Sequence, residues 1–282
     1  MKYLLLILVF PLIACTSSKD IKALKNIKIQ KDIFFTDAKD EKQALDVYSP
    51  KMLTKKAPVL IHIHGGGWRM GDKHRMDKHG KHFANHGIIC VTPNYRLSPR
   101  HKHPAHVEDC AAAVAWVIKS LDLLKGDKNR IYLSGHSAGA HLAALLATNE
   151  KYLAKYKLKV DLFKAVIPVD SASYDLTTDG KERLVNFFVR SAFGKKPETL
   201  KDASPTLNVN AKKQYSPFHV FVTTNRDVAV REAVSITTKL AKLNPETSLH
   251  KIDGLSHTEM STAMYDLNSK VGKTILSIIK SP

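Results

Sequence analysis

Short apolar runs recur along the chain at residues 58–63, 88–95, 131–134, 162–170, 219–224 and 249–253. Runs with so little polar alternation suit strands buried on both faces. Between them lie stretches with helical spacing at 76–86, 106–119, 138–147, 227–243 and 261–279. Two further strands, at 27–35 and 43–48, precede the series and are read as a pair. Strand and helix in alternation predict an α/β fold, a mostly parallel eight-stranded sheet with helices on both faces. Residues 171–217 break the alternation and carry Tyr174, Phe187, Phe188 and Phe193, which reads as a small lid. There is no internal repeat and no low-complexity linker, so residues 27–282 are expected to form one domain.

The N-terminus has a different pattern. Met1 and Lys2 give a short positive start, and the apolar run 3–14 is too short to span a bilayer, which takes about 20 residues. It closes in Leu12-Ile13-Ala14-Cys15, which resembles a bacterial lipoprotein cleavage site. The resemblance implies a signal peptide over 1–14, acylation of Cys15, and a polar tether over 15–26. With Thr16 rather than Asp after the cysteine, it points to the outer membrane, facing periplasm or cell surface. An ordinary secretory signal with an incidental cysteine is the alternative. Cys90 and Cys110 then remain; in an exported protein a disulfide between them is the alternative, but each falls in an apolar pattern where a free buried thiol is the commoner role.

Composition narrows the classes further. Hydrophobic residues make up 44% of the 282, enough for a full core, and the formal net charge is +18. The lysines are scattered and carry no nucleic-acid motif, which favours a solvated basic surface over a nucleic-acid partner.

Two glycine motifs carry chemistry. After the strand at 131–134 the chain turns through Gly135-His136-Ser137-Ala138-Gly139 into an Ala/Leu-rich helix. In this strand-turn-helix setting G-x-S-x-G lifts a serine hydroxyl out of the backbone surface beside a helix N-terminus. Upstream, the strand at 58–63 runs into His64-Gly65-Gly66-Gly67-Trp68. Successive glycines let backbone N–H groups converge on the oxyanion of a tetrahedral intermediate. Ser137 is therefore the candidate nucleophile, and Gly66, Gly67 and Ala138 the candidate oxyanion donors.

With these motifs the chain resembles the α/β-hydrolase esterases that bear HGGGW, a group that includes hormone-sensitive-lipase-like esterases, feruloyl-esterase-like proteins and arylformamidases. Leu45-Asp46-Val47-Tyr48-Ser49-Pro50, Asn94-Tyr95-Arg96-Leu97-Ser98-Pro99, Glu108-Asp109, Tyr174-Asp175-Leu176 and Ala203-Ser204-Pro205 extend the likeness over residues 27–280. The resemblance implies a Ser, Asp, His order with the last two after late strands. Of 14 histidines, His257 follows the last expected strand, where a loop brings its imidazole over Ser137. Asp227, after the strand at 219–224, is the expected acid, although the glycine that the family pattern usually has two or three residues before it is missing and Asn225 and Arg226 intervene. Asp253, Asp170 and Asp175 are the alternatives.

No cofactor and no metal are expected. His79, His82 and His86 share a helical face but lack a completing Cys or carboxylate, so they read as a solvated basic face rather than a metal site. His64 reads as a hydrogen-bonding structural residue and Trp116 as core. Trp68 and Tyr174 are the candidate substrate-binding residues, with packing under the loop the alternative for Trp68. The expected activity is serine carboxylic-ester hydrolysis of small to medium acyl esters, acylated saccharides among them, rising with pH through about 6 to 7 as an imidazole base requires. An amide hydrolase of arylformamidase or serine-peptidase type, and an inactive hydrolase fold serving as a binding protein, are the other readings.

Overall fold

The structure, a computed structural model, describes residues 26–281. The signal peptide, Cys15 and all of the tether but Asn26 lie outside the described residues.

Eight strands form one sheet in the order β1-β2-β4-β3-β5-β6-β7-β8. β1 (Ile27–Phe34) and β2 (Ala44–Pro50) pair antiparallel, and β2 runs antiparallel to β4 (Ile89–Pro93). From there every pairing is parallel, through β3 (Ala57–Ile63), β5 (Gly126–His136), β6 (Ala165–Val169), β7 (His219–Thr223) and β8 (Ser248–Ile252). All residues of β3, β4 and β6 are buried, as expected of strands covered on both faces.

One layer of helices comprises α1 (Asp77–Asn85) with the C-terminal helices; α2 (Ala105–Leu124) and α3 (Ala138–Thr148) lie in the other. The apolar core divides accordingly into two clusters, one per sheet face. Helix α3 is buried along its whole length. Its Ala/Leu composition permits that, since small side chains let the helix approach the strands closely. The short α4 (Glu150–Ala154) follows, capped by Asn149.

The mixed segment resolves into α5 (Arg183–Phe193), α6 (Pro197–Asp202) and α7 (Pro205–Asn208). A buried ion pair fastens its start to the body: Lys181 Nζ bonds Glu232 on α8 (Asp227–Ala241), and Glu232 also accepts from the Asp175 N–H at 2.9 Å. Cys90 on β4 and Cys110 on α2 are free, buried thiols.

The expected final helix over 261–279 divides in two, α9 (His257–Ala263) and α10 (Lys270–Lys280). Local polar groups make the break. Asp266 accepts from the Asn268 N–H, and Ser269 caps α10 through the Val271 N–H. Upstream, Ser256 and Glu259 form a reciprocal capping box, so His257 opens a helix and does not lie in a loop.

Candidate active site

The strand ends β3, β5, β6 and β7 deliver their following residues to one rim of the sheet, the carboxyl edge where open α/β sheets bind ligands. Ser137 sits at the turn from β5 into α3 with φ 58° and ψ −120°, a conformation that lifts its hydroxyl free of the backbone. The flanking glycines are required by space. A Cβ on Gly139 would stand 2.1 Å from the Ile63 carbonyl oxygen, and one on Gly135 would stand 2.4 Å from the Gly139 carbonyl. Ser137 N–H donates to the Val169 carbonyl at 2.9 Å, tying the turn to β6.

The glycine loop after β3 is folded back on itself. Gly66 has φ 121°, and its carbonyl accepts from the Arg69 and Met70 N–H groups. Beneath it the residues that read as family markers form a frame. Tyr95 donates its hydroxyl to the His64 carbonyl at 3.0 Å and stacks on the His64 ring. Arg96 clamps the buried Asp109 carboxylate with Nε and Nη2, each at 2.8 Å from an oxygen. His64 itself bonds the Gly65 carbonyl, and burial pushes its imidazole down to about 4, which fits a structural role.

His257 Nε2 lies 3.0 Å from Ser137 Oγ. Its Nδ1 lies 2.5 Å from Asp170 Oδ2, and Asp170 directly follows β6. The carboxylate is fully buried and held by three groups. Its Oδ1 accepts from the Thr223 N–H at 3.1 Å, and its Oδ2 faces both His257 and Arg226 Nη1, the latter at 3.0 Å. Burial by itself would raise this carboxyl, but the His257 hydrogen bond and the Arg226 charge outweigh it and hold Asp170 below the usual range.

Asp227, the expected acid, is not part of this arrangement. It occupies the first turn of α8, exposed, where a carboxylate complements the helix dipole. The preceding residue, Arg226, is the one that turns inward. Asp253 accepts from Thr224 Oγ1 and Asp175 from Thr177, both away from the imidazole. Asp170 had a visible signal, an acid ending a buried strand run, yet Arg226 and Glu182, which bonds Arg226 Nε at 3.2 Å, carried none.

A cavity of about 580 Å³ opens over Ser137 and His257, bordered by Gly66, Gly67 and Ala138. One wall comes from α5, through Leu184, Val185 and Phe188. The opposite wall comes from α9 and its surroundings, through Thr258, Ser261, Thr262 and Tyr265, with Arg75 and His79 also lining the cavity. Trp68 also borders it, but its indole is buried, donating to His141 and packing edge-on against Phe193. Tyr174 does not reach the cavity. It is fully buried in the core beneath the lid, so its expected contact with substrate is corrected to a packing role.

The histidines of α1 do not form a solvated face. His79 is buried, bonded to the Ser261 carbonyl, and both it and His82 are pushed down to about 4 by burial. Trp116 is half-buried against the core. Among the described residues, the one group of donors close enough for a metal is His136, Asp170 and His257. Arg226 and His257 already face the Asp170 oxygen that such an ion would need, and His136 Nε2 donates to the His257 carbonyl at 2.9 Å.

Comparison with known proteins places the chain in a family. The BD-FAE family model matches residues 45–240. The chain is 33% identical over 216 residues to Esterase LipC of Mycobacterium tuberculosis, covering 71% of this chain and 53% of that one, so it spans about half the length of that relative. Among solved structures, Esterase B of Lactobacillus rhamnosis superposes with a TM-score of 0.73 at 18% identity, covering 93% of this chain and 89% of that one. A truncated carbohydrate esterase from gut microbiota gives 0.72 at 17%, covering 89% and 95%. The chain belongs to the BD-FAE family and has the α/β-hydrolase fold.

Proposed function

We propose that the protein is a serine carboxylic-ester hydrolase whose nucleophile is Ser137, base His257 and orienting acid Asp170. The observation that carries this is the unbroken relay from Asp170 Oδ2 through the two ring nitrogens of His257 to Ser137 Oγ, at 2.5 and 3.0 Å, beneath the glycine loop. Its esterase relative LipC supports the same chemistry.

With Nδ1–H donated to the buried carboxylate, Nε2 is left as an acceptor for the Ser137 hydroxyl proton. The serine oxygen attacks the ester carbonyl carbon, and Gly66, Gly67 and Ala138 N–H groups receive the oxyanion. His257 Nε2–H then protonates the departing alkoxide. Water, deprotonated by the same imidazole, releases the acid from the acyl-enzyme.

Because His257 gives its proton to the leaving group, the alcohol side of the substrate lies along α9. That wall carries hydroxyls and Arg75, which suits a polar alcohol such as a saccharide, whereas Leu184, Val185 and Phe188 suit a short or aromatic acyl group. We extend the proposal to export and anchoring through Cys15. Asn26 stands beside Pro50 and Gly87, at the amino ends of the parallel strands, so the tether meets the domain on the side opposite the site.

The test is hydrolysis of p-nitrophenyl acetate by the purified protein beside its Ser137→Ala variant. Turnover that this change abolishes supports the esterase; equal, near-background rates in both remove it, and turnover of aryl amides in preference to esters assigns the amidase reading.

A further inference from the structure

Arg226 stands one residue before the position where the sequence places the acid, and its guanidinium occupies the space beside the imidazole. Nη1 lies 3.0 Å from Asp170 Oδ2 and 2.9 Å from His257 Nδ1, while Nε reaches Glu182 at the start of the lid. The side chain is 14% exposed. These contacts cannot all be hydrogen bonds in one protonation state. If Arg226 donated to Nδ1, the imidazole proton would sit on Nε2, and His257 could not accept from Ser137. The bare Nδ1 lone pair would also face a carboxylate oxygen 2.5 Å away. A proton on Nδ1 shared with Asp170 resolves both conflicts, and the guanidinium then donates to Asp170 and Glu182.

We propose that Arg226 is a positioning residue for the hydrolytic reaction: its guanidinium fixes the Asp170 carboxylate against His257 and sets the electrostatic field in which the imidazole takes up its proton. The inference rests on the hydrolase function proposed above.

The groups that face His257 are few. Asp170 comes from β6, Arg226 from the turn before α8, and His136 and Ser137 from the end of β5. On its own helix the nearest carboxylate, Glu259, is engaged by Ser256. The His136 ring lies tilted to the His257 ring with centroids 4.6 Å apart, but burial pushes it down to about 3, so it remains neutral across the working range. Arg226 is therefore the one fixed positive charge against the imidazole among the described residues. It opposes formation of a second positive charge there, and it draws part of the Asp170 charge toward itself.

Removing it has a directional consequence. The imidazole takes up a proton more readily, so the acid limb of the kcat/KM profile moves to higher pH, while the loosened carboxylate costs plateau turnover. The experiment measures ester hydrolysis against pH for the full chain and for Arg226→Met and Arg226→Lys, with circular dichroism and melting temperature as controls on folding. In R226M the acid limb is expected to rise by about 0.5 to 1 unit and plateau kcat to fall about tenfold, with KM changed less than about threefold. R226K, which keeps the charge without the planar fork, is expected to bring back the limb but not the full plateau. A limb that stays in place in R226M overturns the proposal, whether kcat falls or not, because a merely structural arginine would lower activity uniformly. Should R226M fail to fold, R226K decides: wild-type plateau activity in that variant is equally contrary. An inactive wild-type chain removes the hydrolase function itself, and is distinguishable from an active wild type whose variants match it.

Discussion

Asp170 at the end of β6, and not the acid that follows β7, holds the Nδ1 edge of His257, with Oδ2 at 2.5 Å. β6 and β7 are adjacent and parallel, so an acid at either carboxyl end reaches the same imidazole. Here the backbone commits β6. Asp170 takes φ 53°, its N–H bonds the Phe221 carbonyl, and its Oδ1 receives the Thr223 N–H, so both neighbouring strands shape the carboxylate.

The two candidate acids separate cleanly by mutation. Asp170→Asn is expected to lower kcat by about 10⁴-fold, because the imidazole loses the group that selects its tautomer. Asp227→Asn, at an exposed helix start, is expected to leave turnover within about twofold. Steady-state rates on one p-nitrophenyl ester check both, and a severe loss in D227N with an active D170N would reverse the assignment.

The serine turn tolerates no side chain where the sequence has glycine. Gly139→Ala drives a methyl into the Ile63 and His64 carbonyls and is expected to cost at least about 4 kcal/mol or prevent folding. Gly194→Ala, with φ 75°, ψ −147° and open space around it, meets backbone strain alone, about 1 to 3 kcal/mol. Urea unfolding of the two variants gives the comparison, and similar midpoints would contradict it.

Lys181 and Glu232 are both buried, so neither is expendable alone. Lys181→Met strands the carboxylate and is expected to cost about 3 to 5 kcal/mol, whereas the double variant K181M/E232L recovers most of that loss. Since the pair anchors the lid, K181M is also expected to raise KM. A double variant as unstable as the single one would show that the pair itself, and not the stranded charge, matters.

Acid sensitivity follows from the buried imidazoles. Burial pushes His64 and His79 to about 4, and His106, His136 and His141 to about 3. Their folded values lie below that of an ordinary imidazole, about 6.5, so in the interval between them the unfolded chain binds more protons. The stability is complete above about pH 6.5 and is lost as pH falls toward 4, by up to about 2 kcal/mol per imidazole at pH 5. Calorimetry is expected to show the melting temperature falling by about 20 °C or more between pH 7.5 and 5. An unchanged melting temperature would mean these rings are protonated in the folded protein.

Much of the fold was legible in the chain because it rests on short-range pattern. The apolar runs give all eight strands, and the two glycine motifs give the turn at Ser137 and the loop at Gly66, where steric limits leave glycine no substitute. The acid was not legible, since Asp170 ends one strand-like run and Asp227 closely follows another, and the backbone turn that aims the Asp170 carboxylate at His257 leaves no mark in the pattern. Tyr174 misled for a related reason: an aromatic in a lid segment is as suited to the core beneath the lid as to the cavity. The helix over 261–279 divided because Asp266 and Ser269 hydrogen-bond locally, which apolar spacing does not register.

The most direct test of the account is the mass of the intact protein, with peptide mapping, after reaction with an activated alkyl phosphonate ester. A single phosphonyl group on Ser137, matched by loss of ester turnover, is the predicted result. Turnover that persists with Ser137 modified, or a stoichiometric adduct on another residue, would contradict it.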